Sequence, residues 1–204
     1  MTSLRLWSTD DEARMWLVCL PSGGGSAHGF RSWSGGLPAT LGMAALELPG
    51  HGSRAMERPA RNAGELVAAL AADLAPLLSW PVIFFGHSMG AILALDVTRA
   101  LRASHGWRPS ALVVAASSPP DKFPAAAVPL SDNELAVMLR GWNGTSDELF
   151  ADSAYLAEIL ATLRADLELM TARVHRDEAP LDCPIHVYLG SDDATVNVEA
   201  AVTG

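Results

Sequence analysis

Lysine is almost missing from this chain: Lys122 is the only one, and arginine supplies the rest of the positive charge. Basic residues number 14 against 23 acidic ones, a formal net charge of −9. Such a surface repels phosphates at long range, which argues against nucleic acid or an anionic membrane as a partner. Cysteine is scarce too. Cys19 and Cys183 both adjoin apolar strand-like runs and read as small buried hydrophobes, not as a disulfide or a catalytic thiol. No apolar run approaches the roughly 18 residues of a membrane-spanning helix. Residues 1–11 hold Arg5 and two aspartates where a signal peptide would be apolar. There is no internal repeat, no block of like charge and no histidine–carboxylate spacing typical of a metal site, so no metal is expected. A cytoplasmic chain is expected, and 204 residues suit one domain with a full core.

Half of the residues are hydrophobic, and their order is informative. Strand-like runs fall at Leu4–Trp7, Arg14–Leu20, Met43–Leu48, Val82–Phe85, Ala111–Ala116 and Pro184–Leu189. Helical spacing marks Ala63–Ser79, where Leu66, Leu70, Leu74 and Leu77 recur, and Met89–Ser104; Phe30–Leu41 has helical character. Most of these strands are continuous apolar runs, which suits a parallel sheet covered on both faces. Between Ser117 and Glu178 the alternation stops. Prolines 119, 120, 124 and 129 open a loop, Ser131 and Glu134 form a capping-box pattern, and helices are expected to Arg140 and over Ser153–Val174. The expected architecture is therefore an α/β core over 1–118, a helical lid insert over 119–180, and a last core strand with its loop over 181–204. A lid in that place is expected to move, with Gly141–Gly144 as a break.

The chemistry concentrates at Gly86-His87-Ser88-Met89-Gly90. A short apolar strand enters this G-x-S-x-G pentapeptide and a helix-forming run leaves it. The turn such a motif requires is too tight for bulky neighbours, hence the two glycines. It lifts the serine hydroxyl to the top of the sheet and aims the helix N-terminus at developing negative charge.

Several segments together resemble one family. Leu17-Val18-Cys19-Leu20-Pro21 followed by Gly24-Gly25-Ser26-Ala27 is similar to the first active-site loop of type II thioesterases. These are stand-alone α/β-hydrolases that serve polyketide synthases and nonribosomal peptide synthetases. Pro49-Gly50-His51-Gly52-Ser53-Arg54 resembles the family's second loop, Gly86–Ala91 its nucleophile elbow, and Leu163-Arg164-Ala165-Asp166 its lid-exit motif. Cys183-Pro184 through Asp193 resembles the strand and loop that carry the acid. The resemblance implies an α/β-hydrolase fold, a mostly parallel sheet flanked by helices. It implies hydrolysis of acyl thioesters, often stalled or aberrant ones, on the phosphopantetheine arm of an acyl or peptidyl carrier protein, with no cofactor of its own. It makes Ser88 the nucleophile and Asp193 the triad acid, from the Gly190…Asp193…Val196 spacing, with Asp192 the competing acid. It gives the oxyanion hole to the backbone N–H groups of Met89 and Ala27.

The sequence departs from the family at Ser22, where a bulkier polar residue is usual, and at Ala194, where a proline is. The family's C-terminal helix, strand and Gly-Gly-His base are absent from the 204 residues. The expectation is a fragment, or a shortened protein limited to about 10³–10⁴-fold acceleration over water. His28 and His51, on loops at the active-site edge, are the candidate surrogate bases. His87 is expected to pack beneath the elbow, since adjacent elbow side chains point apart. His186 reads as a core histidine, and His105 and His175 as helix-end cations. Asp166 reads as a structural hydrogen-bonding residue at the lid exit, and Trp33, Trp80, Trp107 and Trp142 as core or lid aromatics. Both partners being acidic, docking to a carrier protein is expected to be local and mostly apolar. A general esterase or lipase, or a non-catalytic carrier-binding protein, are the alternatives. The oligomeric state is left open.

Overall fold

The computed structural model describes residues 2–8, 12–122, 130–142, 147–174, 178–193 and 196. Six strands, β1 (Leu4–Ser8), β2 (Met15–Leu20), β3 (Leu41–Leu46), β4 (Val82–His87), β5 (Ala111–Ala115) and β6 (Ile185–Tyr188), form one sheet in the order β1-β3-β2-β4-β5-β6. All neighbours pair in parallel except β1, which runs antiparallel to β3. The helices are α1 (Ala63–Asp73), α2 (Met89–His105), α3 (Asp132–Gly141), α4 (Asp147–Ala151) and α5 (Ser153–Thr171).

Burial on both faces explains the continuous apolar runs. On one face Val18, Leu20, Ala44, Leu46 and Phe84 pack with Leu66 and Leu70 of α1 and Leu93, Val97 and Leu101 of α2. On the other, Cys19, Met43 and Ala45 lie under Ala27 and Phe30 of a 3₁₀ segment, Ala27–Gly36. Each large side chain so buried contributes about 1.5–3 kcal/mol. Burial also pushes the Cys19 thiol up to about 12, which keeps it protonated.

The lid carries a smaller apolar cluster of its own: Leu135, Leu139, Phe150, Leu160 and Leu163. Ser131 and Glu134 close the expected capping box at the start of α3. The far end of α5 is anchored to the main body. Leu169 and Met170 join the principal core, and Arg173 makes a bidentate pair with Asp96 of α2 at 2.6 and 2.8 Å.

Several expectations shift. The Phe30–Leu41 helix is the 3₁₀ segment 27–36, and β3 starts at Leu41. Helix α1 ends at Asp73, because Pro76 lacks the amide hydrogen needed to continue it; one 3₁₀ turn, Ala75–Leu77, follows. Trp107 packs edge-on to Phe84 and donates to the Leu78 carbonyl, but Trp33, Trp80 and Trp142 are exposed. Among the described residues His186 is exposed as well, on β6, which pairs only with β5. Residues 123–129 of the proline-rich entry, 143–144 of the Gly141–Gly144 break, and His175 fall outside the described residues. No helix among them is long and apolar enough to cross a membrane.

Candidate active site

Strand β4 delivers Ser88 to the carboxyl edge of the sheet, where open α/β sheets place their ligands. Ser88 has φ 53° and ψ −117°, outside the regions an L residue normally occupies. The flanking glycines are steric necessities. A Cβ on Gly86 would lie 2.4 Å from Ala91 Cα, and one on Gly90 would lie 2.2 Å from the Leu20 carbonyl oxygen. The conformation is held from the side: Ser88 N–H donates to the Ala115 carbonyl at 2.8 Å, and Ala116 N–H donates to the Tyr188 carbonyl at 2.9 Å. A backbone relay therefore runs from the elbow through β5 to the strand preceding Asp193. Strain of this kind costs on the order of 1–3 kcal/mol and persists only where the surroundings enforce it. Ser88 is also the N-cap of α2, so the Met89 amide belongs to the electropositive helix end.

Asp193 sits in the tight turn after β6, its N–H donating to the Gly190 carbonyl at 3.2 Å. It is half-buried, whereas Asp192 is exposed. Its charge reaches His87: burial holds that imidazole below its ordinary value, and the Asp193 carboxylate pulls the other way. His87 does not pack beneath the elbow. It is the last residue of β4 and is only partly shielded there.

The two loops differ from expectation in one respect that matters. Ala27 is fully buried, and its N–H donates to Glu47 Oε1 at 2.9 Å. An amide committed to a buried carboxylate has no bond left for an oxyanion, so Ala27 is not a donor. The Gly24 and Gly25 amides are also taken, by Asp166 and by the Ser22 carbonyl. In this loop the Ser22, Gly23 and Ser26 amides have no partner among the described residues, and the first two are the nearer to the elbow in sequence. Ser22 and Gly23 follow Leu20 and Pro21, whose carbonyls abut Gly90 of the elbow.

Neither surrogate base is in position. His51 is 3 % exposed and both ring nitrogens are engaged, Nδ1 with the Pro49 carbonyl at 3.0 Å and Nε2 with Asp166 Oδ2 at 2.9 Å. Burial disfavours its charge; Asp166, then the Pro49 carbonyl and Glu47, outweigh that and raise its pKa. His28 packs edge-on to Trp7 of β1, at the far side of the sheet from β5 and β6. His105 lies at the opposite end of α2, beside Ser104 Oγ. Asp166 is the structural hydrogen-bonding residue the sequence suggested. Glu47 had no assigned role, although a lone carboxylate in the apolar run before Pro49 was a readable signal of a buried, paired charge. Among the described residues no cluster of His, Cys, Asp and Glu is arranged to hold a metal ion.

A strained serine between two sterically required glycines, joining a central parallel strand to a helix, defines an α/β-hydrolase. The family model of the thioesterase domain matches residues 16–202, and the chain belongs to that family, hydrolases that act on thioesters. It is 30% identical over 196 residues to the gramicidin S biosynthesis protein GrsT of Aneurinibacillus migulanus, covering 95% of this chain and 76% of GrsT. The type II thioesterase BorB of the borrelidin biosynthetic cluster matches its fold with a TM-score of 0.85 at 31% identity, over 98% of this chain and 82% of BorB. The RedJ thioesterase of the prodiginine pathway in Streptomyces coelicolor gives 0.88 at 32% identity, over 96% and 74%.

Proposed function

We propose that the chain releases acyl groups from the phosphopantetheine arm of a carrier protein in a polyketide or nonribosomal peptide assembly line, in the cytoplasm and without a cofactor of its own. The observation that carries this reading is the Ser88 backbone, held at positive φ at the head of α2. Relatives drawn from three such biosynthetic systems support the substrate class.

Ser88 Oγ attacks the thioester carbonyl and loses its proton to a general base that Asp193 orients. The tetrahedral oxyanion is met by the Met89 amide and by Ser22 or Gly23 in place of Ala27; one such donor supplies about 3–4 kcal/mol. The pantetheine thiol leaves with the proton, and water then hydrolyses the ester on Ser88. Asp193 fits the acid better than Asp192 because its charge is felt at the elbow.

The test is acyl release from an acyl-phosphopantetheinyl carrier protein, followed by the mass of the carrier. Ser88→Ala in the full-length protein is expected to lose on the order of 10⁴–10⁶-fold in kcat. Release as fast as the parent overturns the assignment. Faster turnover of a matched oxygen ester than of the carrier thioester replaces it with a general esterase.

A further inference from the structure

Two buried carboxylates stitch the same pair of loops. Glu47, just past β3, accepts the Ala27 N–H through Oε1 at 2.9 Å and both the N–H and the hydroxyl of Ser53 through Oε2 at 3.2 Å. Asp166, on α5, accepts the Gly24 N–H at 2.8 Å and faces His51 Nε2 at 2.9 Å with the same oxygen. Each carboxylate thus takes one bond from the first loop and at least one from the second. They differ in what they belong to. Glu47 is fixed to the sheet, whose strands share a continuous core. Asp166 rides on the helix that leads out of the lid.

Helix α5 lies directly on the glycine loop. A Cβ on Gly24 would stand 3.3 Å from Leu163 Cβ, and one on Gly23 would stand 3.6 Å from Leu163 Cδ1 and 3.9 Å from Asp166 Cβ. Leu163 is fully buried and also belongs to the lid cluster. Gly24 itself has φ +69°, so this turn is shaped by glycine and fastened from outside. The Ser22 and Gly23 amides stand two residues and one residue from that fastening.

We infer that Asp166 is a positioning residue for the reaction proposed above: from α5 it holds Gly24 of the first loop and His51 of the second together, and thereby sets where the Ser22 and Gly23 amides stand relative to Ser88. The inference rests on that reaction for its kinetic consequence but not for its geometry. The charged groups acting on His51 are Asp166 and, more weakly, Glu47. Removing the Asp166 charge leaves burial to dominate and lowers the His51 pKa.

The experiment compares the full-length parent with Asp166→Asn, which keeps the side-chain shape, and Asp166→Ala. Both variants are expected to lose about 10²-fold in kcat for acyl release with KM little changed, since misplaced donors act in the transition state. Amide exchange at Gly24 quickens while Leu93, in the core of α2, stays protected, and the His51 ring titrates at lower pH. Parent-like kcat in Asp166→Asn, an equal loss of protection at Leu93, or an unmoved His51 titration overturns the inference. A parent protein that releases no acyl group overturns the proposed function instead, and the exchange and titration results then decide the clamp alone.

Discussion

Strand β4 runs through the middle of the sheet between β2 and β5, with Val82 and Phe84 buried and α2 folded back across it. Among the described residues strand β6 pairs only with β5, and all four of its residues are exposed, Ile185 at 50 %, Val187 at 48 % and Tyr188 at 62 %. The first carries the nucleophile and the second leads to the proposed acid. A serine forced to positive φ needs surroundings that cannot relax, and the sheet centre supplies them. The acid loop has only to return a carboxylate to the elbow, and a single ladder to β5 with the Ala116–Tyr188 bond does that. The strained serine thus follows a strand paired on both sides, while the proposed acid follows one held, among the described residues, by a single ladder to β5.

The largest test of that contrast is stability. Phe84→Ala, at a side chain with no exposed surface, is expected to cost about 3–5 kcal/mol. Val187→Ala on β6 is expected to stay within about 0.5 kcal/mol. Denaturant midpoints at unchanged m measure both. Equal costs would mean that β6 is covered in solution, and the contrast would fail.

The second test uses two histidines with opposite shifts. His51 is raised, so its pairing with Asp166 contributes stability that is fully present below about pH 6.5 and is lost as pH rises through its folded value. His87 is lowered, so keeping it neutral contributes stability that is present above about pH 6.5 and is lost as pH falls through its folded value. In an NMR titration from low to high pH, His87 is expected to release its proton before His51. Asp193→Asn should lower His87 further and leave His51 in place. A His87 titration unmoved by Asp193→Asn would break the link between the acid loop and the elbow.

The smallest effect concerns the thiols. Cys19, on β2, is buried with its pKa pushed up to about 12, while Cys183, at the approach to β6, is half-buried and raised less. Alkylation followed by mass spectrometry is expected to label Cys183 in the native protein and Cys19 only on unfolding. Native labelling of Cys19 would show the sheet centre opening as readily as its edge.

The pattern of apolar runs determined the strands, and the pentapeptide determined the elbow, because both rest on local rules: side-chain periodicity and the space a tight turn leaves. Ser131 and Glu134 were equally legible, since a capping box closes within four residues. What lay beyond the sequence were bonds between distant segments. Gly24 and Asp166 are 142 positions apart, and Ala27 and Glu47 are 20 apart on separate elements. Nothing local says which amide a buried carboxylate will claim, so the loop motif pointed to Ala27 as a donor when packing had already assigned its hydrogen. The same holds for His186, which read as a core histidine from its neighbours and is exposed among the described residues. Residue type and spacing set the chemistry available to this chain. Only the folded arrangement, by satisfying some polar groups and leaving others open, decided which of them are free to perform it.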